Sequence, residues 1–192
     1  MLNLPNKITI SRILLIPVFM AFLLSKTSLT YLGVTIQWGA VVAGLIFVLA
    51  AVTDGIDGYI ARSRGLVTSV GQLLDPLADK LLISAALISL VGLGRLSAWI
   101  AVVIIGREFA VTGLRMSAAV NHIVIPAGKW GKIKTVTQIV AIVFLIIKIP
   151  VPVYGPWLEN ILIGIALVMT VVSGIDYFIR GSHVLLDEGD GS

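Results

Sequence analysis

Apolar residues run in long, nearly unbroken stretches at about 8–25, 37–60, 70–94, 97–120, 133–150 and 157–179, separated by short polar or Gly/Pro-containing breaks. About 20 such residues are what an α-helix needs to cross the hydrocarbon of a bilayer. The pattern predicts an all-α, polytopic membrane protein with about six transmembrane helices. Local signals agree with these bounds. Ser69 followed by Gln72 resembles a capping box, and Gly92 with Gly94 marks the turn into the fourth span. Pro17 and Pro76 fall inside helical segments, where neighbouring helices can absorb the lost backbone hydrogen bond. The first stretch follows only Lys7 as a basic residue and lacks a small-residue cleavage site, so it reads as a retained helix rather than a signal peptide. Residues 1–180 read as one membrane domain. From Gly181 to Ser192, acidic residues among glycines and serine cannot bury a core, and a disordered cytoplasmic tail is expected.

Composition strengthens the membrane reading: 58% hydrophobic and 12% charged residues, with a mean hydropathy of +1.05, depart from the roughly 45–50% apolar and 25% charged of soluble domains. The absence of cysteine excludes disulfides and thiolate chemistry, leaving oxygen ligands or the two histidines for any metal. His122 and His183 are isolated in sequence from the acidic residues, and neither is expected to be a ligand. A formal charge of +4 and a pI near 9.6 do not imply nucleic acid here, because Lys and Arg are scattered between apolar spans; anionic membrane lipids are the expected partner.

The same basic residues set the topology. Lys7, Arg12, Arg62, Arg64, Lys80, Arg107, Arg115, Lys129, Lys132, Lys134 and Arg180 lie near one set of helix ends, against Lys26, Arg95 and Lys148 near the other. With an even number of spans, this asymmetry places both termini in the cytoplasm of a cell membrane. Trp38, Trp99, Trp130 and Trp157 fall near span ends, as an aromatic belt does.

The chemistry concentrates in Asp54-Gly55-Ile56-Asp57-Gly58-Tyr59-Ile60-Ala61-Arg62 and Gly71-Gln72-Leu73-Leu74-Asp75-Pro76-Leu77-Ala78-Asp79. Asp54 and Asp57 are three apart, Asp75 and Asp79 four apart, so each pair shares a face if its segment is helical. Four carboxylates at the edge of hydrocarbon repel one another and require positive charge. Oxygen-only ligation favours Mg²⁺ or Mn²⁺, and two such ions can clamp a diphosphate during in-line displacement. Gly58 and Gly71 leave the same faces bare for a phosphate or nucleotide to approach. Taken singly, the same aspartates are explicable as a helix cap at Asp75 or a surface pair of Asp79 with Lys80. The paired spacing of all four favours a site.

The set Asp54, Asp57, Gly58, Ala61, Arg62, Gly71, Asp75 and Asp79 resembles, at every position, the signature of the CDP-alcohol phosphotransferase family. The resemblance implies that Asp54, Asp57, Asp75 and Asp79 surround two divalent ions. It also implies that Asp79 is the catalytic base for the acceptor hydroxyl, and that Gly58, Ala61, Arg62, Thr68 and Gly71 contact the CDP-lipid. Asn6 and Thr9, three apart before an apolar run, can cap the first helix, whereas the resemblance implies that they contact the CDP group.

Outside the signature, three further segments resemble the bacterial subfamily whose donor is CDP-diacylglycerol and whose acceptor is glycerol 3-phosphate. They are Asn3 to Thr9 with Arg12 and Pro17, Arg107-Glu108-Phe109 with Leu114-Arg115, and Gly131 to Thr135 with Gln138. The resemblance implies a homodimer. A phosphorylated acceptor needs positive charge, which Arg115, Lys132 and Lys134 can supply, with Arg107 either joining them or pairing with Glu108; topology alone also places basic residues at such ends. Rival acceptors for the same chemistry are inositol phosphate and serine. A rival of another class is a divalent-cation channel or transporter, for which a polar path across the spans is required. The aspartates instead gather at cytoplasmic helix ends, and the other spans are read as lacking acidic residues at mid-depth.

Overall fold

The computed structural model describes residues 4–25, 27–31, 34–63, 69–120, 128–148 and 156–186. Among these residues the chain forms α1 (Leu4–Leu24), β1 (Ser28–Tyr31), β2 (Val34–Gln37), α2 (Trp38–Ser63), α3 (Ser69–Gly92), α4 (Ala98–Val120), α5 (Lys129–Ile147) and α6 (Pro156–Leu186). The six helices follow the six apolar stretches, and α3 begins at the expected Ser69. The hairpin is additional. Its strands pair antiparallel from Ser28 with Gln37 to Tyr31 with Val34, and β2 runs directly into α2. Four-residue strands between two long apolar runs leave no periodicity to read, although their β-branched residues suit the pairing. The helix α6 also continues to Leu186, so residues 181–186 are helical where the sequence reading expects disorder. Gly181 costs a helix only about 1 kcal/mol, and Val184, Leu185 and Leu186 extend the apolar pattern beyond it. Residues 187–192 lie outside those described.

The chain packs as two compact units, one of residues 1–98 with 142–154 and one of 99–141 with 155–192. Two of their three boundaries fall inside α4 and α5, and the third lies between α5 and α6. In the first unit α1 packs along both α2 and α3, and α2 touches α3. The buried rings of Phe19 and Phe47 meet at 5.9 Å between centroids, and Ala40, Ala43 and Ala50 line the same buried side of α2. Small residues there let helix backbones approach closely. Gly39 is the extreme case, because a Cβ at that position would collide with the Phe22 carbonyl and the Ser25 side chain at the end of α1.

α3 ends in a glycine-dependent cap. Arg95 N donates to Leu90 O and Gly94 N to Val91 O, both at 2.9 Å, with Gly94 at φ 67°. This is the Schellman arrangement, which favours glycine at the left-handed position. It launches the Arg95 side chain toward α5. There Nη1 donates to the carbonyls of Leu145 (3.2 Å) and Ile146 (2.8 Å), and Nη2 donates to Gln37 Oε1 at 2.5 Å. A cation at a helix C-terminus satisfies orphan carbonyls and the dipole together. Arg95, an exception to the basic-residue asymmetry, therefore has a structural task.

Two helical segments, Lys129–Ile147 and Trp157–Gly181, are long and apolar enough to cross a membrane; within the described residues the apolar stretches of α1, α2 and α3 are shorter. On α6, Ile161, Ile165, Val168, Val172, Ile175 and Ile179 are all exposed. A water-facing helix does not carry such an apolar stripe. All four tryptophans are exposed and sit within the first two residues of α2, α4, α5 and α6, the placement expected of interfacial rings.

Candidate functional site

The helical condition on the aspartates is met. Asp54, Asp57, Gly58 and Ala61 lie on α2 at relative positions 0, 3, 4 and 7, and Gly71, Asp75 and Asp79 lie on α3 at 0, 4 and 8. Each set shares one helix face. α3 is helical straight through Asp75 and Pro76, so Asp75 is not at a helix cap. The last residue of α2, Ser63, and the first of α3, Ser69, are six residue steps apart, which an extended chain spans at most about 22 Å. The carboxylate-bearing end of one helix is thus tethered to the carboxylate-bearing start of the next. The side chains of these residues and of Arg62, and those of Asn6 and Thr9 on α1, lie outside the described ones, as does Thr68 altogether. Among the described residues no group of three or more His, Cys, Asp or Glu side chains could hold a metal ion.

The second unit holds a polar cluster between α4, α5 and α6. Glu108, buried near the middle of α4, accepts from Lys134 Nζ at 2.5 Å and from Arg107 Nη1 at 3.2 Å. Arg107 Nη2 donates to Ser173 Oγ at 2.6 Å, and Gly174 leaves room for the arginine stem, since a Cβ there would lie 3.2 Å from Arg107 Cγ. The guanidiniums of Arg107 and Arg115 both lie against the ring of Tyr177, at 5.8 and 5.3 Å from its centroid. One turn beyond Lys134, Gln138 is buried, and among the described residues neither its amide atoms nor the buried Arg107 Nε has a hydrogen-bond partner. Of the basic residues singled out in the sequence, Arg115 and Lys132 are exposed, whereas Arg107 and Lys134 are committed to Glu108. Arg107 meets Glu108 through Nη1 alone, while its Nη2 reaches Ser173. Glu108 also corrects the reading that the other spans lack acidic residues at mid-depth. Paired with cations from two helices, it is neutralised in place rather than set on an open ion path.

The CDP-alcohol phosphatidyltransferase family matches residues 2–172 of the chain. The chain belongs to this family. Its relatives include the CDP-diacylglycerol–glycerol-3-phosphate 3-phosphatidyltransferase of Bacillus subtilis (strain 168), 44% identical over 96% of this chain and 98% of the relative. The probable phosphatidylglycerophosphate synthase of Mycobacterium tuberculosis (strain ATCC 25618 / H37Rv) is 39% identical over 93% of this chain and 81% of its own length. The corresponding 3-phosphatidyltransferase of Rickettsia felis is 38% identical over 92% and 93%. The family membership agrees with the resemblance read from the aspartate signature, which lies wholly inside the matched residues. Ser173 and Tyr177 fall just beyond them, and sequence reading passed over both. The available signal was their spacing, four apart on α6 and so on one face, together with an acidic residue inside the apolar run of α4.

Proposed function

We propose that this protein transfers the phosphatidyl group of CDP-diacylglycerol to glycerol 3-phosphate, giving phosphatidylglycerophosphate and CMP at a membrane surface. The observation that carries the reading is the helical pairing of Asp54 with Asp57 and of Asp75 with Asp79, in a chain collinear with relatives named for this reaction. The donor set fits two Mg²⁺ or Mn²⁺ ions, because four carboxylates without sulfur suit hard divalent cations. Ions held there supply charge neutralisation for the diphosphate and for the departing CMP. Asp79 takes the proton from the acceptor hydroxyl as its oxygen bonds to the phosphorus bearing the diacylglycerol and the bond to CMP breaks. Gly58 and Gly71 leave backbone open to the CDP moiety, with Asn6, Thr9, Ala61, Arg62 and Thr68 as its further contacts. Arg115 and Lys132, exposed, are the readiest ligands of the acceptor phosphate, and Arg107 and Lys134 are the further two.

Purified protein given CDP-diacylglycerol, Mg²⁺ or Mn²⁺, and one of glycerol 3-phosphate, inositol phosphate or serine is expected to release CMP only with glycerol 3-phosphate, the lipid mass naming the product. Full activity in excess chelator overturns the metal role; activity confined to another acceptor overturns the assignment.

The helices cross the cell membrane with both termini and the aspartates on the cytoplasmic side, where CDP-lipid chemistry has its soluble partner, and the working form is a homodimer. The basic-residue asymmetry and the exposed tryptophans at helix starts support this placement. Reporters fused after Arg64, Lys129 and Ser192 are expected inside, and reporters at Thr27, Gly94 and Pro152 outside. An outside signal after Arg64 would put the aspartates on the wrong face and sink the topology.

A further inference from the structure

We infer that Tyr177 is a positioning residue for the acceptor, its ring gathering Arg107 and Arg115 into one phosphate-binding pair; this rests on the reading of those arginines as acceptor-phosphate ligands. The two arginines are eight residues apart on α4, about 12 Å along the helix axis. Their guanidinium carbons nevertheless lie 5.8 and 5.3 Å from the centroid of a single ring. Both are inside the range of roughly 6 Å at which a ring quadrupole attracts a cation. The ring itself is fixed. Tyr177 is 4% exposed and packs in a cluster with Val111, Ala118 and Leu114. The flexible arginines are therefore brought to the ring and not the reverse.

Two guanidiniums at one ring repel, and the carboxylate beside Arg107, that of Glu108, is shared with Lys134. Arg107 has Glu108 at 3.2 Å and donates to Ser173, whereas among the described residues no carboxylate pairs with Arg115, which is exposed. The pair thus presents excess positive charge on a rigid platform with one fork open. That arrangement complements a phosphate monoester, whose oxygens accept two parallel N–H bonds from an arginine. No hydrogen bond to the Tyr177 hydroxyl occurs among the described residues, so the face of the ring carries the effect. Tyr177 also lies beyond residue 172, the last that the family pattern matches.

The test is steady-state kinetics in neutral detergent on the full chain with Tyr177→Phe, Tyr177→Leu and Tyr177→Met, with Arg115→Gln alongside. Tyr177→Leu and Tyr177→Met are expected to raise the KM for glycerol 3-phosphate about tenfold, the loss of one partly buried cation–π contact, with the KM for CDP-diacylglycerol changed less than about twofold. Tyr177→Phe keeps the ring and is expected to stay within about twofold of the parent on both. Methionine fills most of the ring's volume without its quadrupole and serves if leucine does not fold. Unchanged acceptor KM in the folded leucine or methionine variants, or an equal rise in both KM values, overturns the positioning role. An unchanged acceptor KM in Arg115→Gln overturns the phosphate-ligand reading itself, separately from Tyr177. If adding anionic-lipid vesicles shifts the leucine variant's rate while its acceptor KM stays normal, the pair serves a lipid head group and the inference fails.

Discussion

Asparagine in place of Asp79 is expected to lower turnover by about 10² to 10⁴-fold, the usual cost of removing a general base, while CDP-diacylglycerol still binds in the presence of metal. The amide is nearly isosteric with the carboxylate but cannot accept the hydroxyl proton. The attacking oxygen must then leave its proton to water. Asparagine at Asp54 or Asp57 is expected to fail differently, weakening metal binding together with turnover, because a neutral amide oxygen is a poorer partner for a hard divalent ion. Metal-dependent binding of CDP-diacylglycerol and single-turnover release of CMP separate the two patterns. Near-normal turnover by the Asp79 variant would remove it as the base. Some loss of metal affinity in that variant is compatible with the role, since a residue on the same face as Asp75 can touch the metal as well.

The helical architecture was legible because each helix carries its own signal: an apolar run long enough to demand a nonpolar surrounding, ended by glycine, proline or charge. The aspartate register was legible for the same reason, since the spacing of Asp54 with Asp57 and of Asp75 with Asp79 has meaning only on a helix, and α2 and α3 are helical there. What escaped was information held between elements. The β1–β2 hairpin depends on pairing between strands, which leaves almost no trace in two four-residue segments. The position of Arg95 looked like a topological exception, and only the approach of α5 shows that it caps a helix end. Glu108 was visible but unweighted. In the sequence it neighbours Arg107, and nothing there announces Lys134, 26 residues on, as its closer partner. Ser173 and Tyr177 were invisible for a related reason, because a serine and a tyrosine in an apolar run read as packing until the arginines of α4 are seen against them.

Alanine at Glu108 is expected to destabilise the protein by about 3–5 kcal/mol, a large share of the 5–15 kcal/mol that holds a typical fold, because it removes the buried carboxylate that Lys134 and Arg107 share. Lys134 is 3% exposed and bonded to Glu108, so it has no ready route to solvent once the carboxylate is gone. Arg107 retains Ser173 and the Tyr177 ring and suffers less. The magnitude therefore resides mainly in the Glu108–Lys134 pair, and a second variant isolates it. Replacing both residues by apolar ones of similar size, Glu108→Leu with Lys134→Met, removes the charge and its counterion together, and such exchanges are often neutral. Thermal unfolding in detergent is expected to show a deep loss for Glu108→Ala and recovery of most of it in the double variant. Equal losses in both would mean that packing, not the broken ion pair, sets the cost. The double variant then answers a functional question that neither single change can. If Lys134 serves only the fold, a stable double variant keeps the parent KM for glycerol 3-phosphate; if Lys134 also reaches the acceptor's phosphate, stability returns while that KM stays raised.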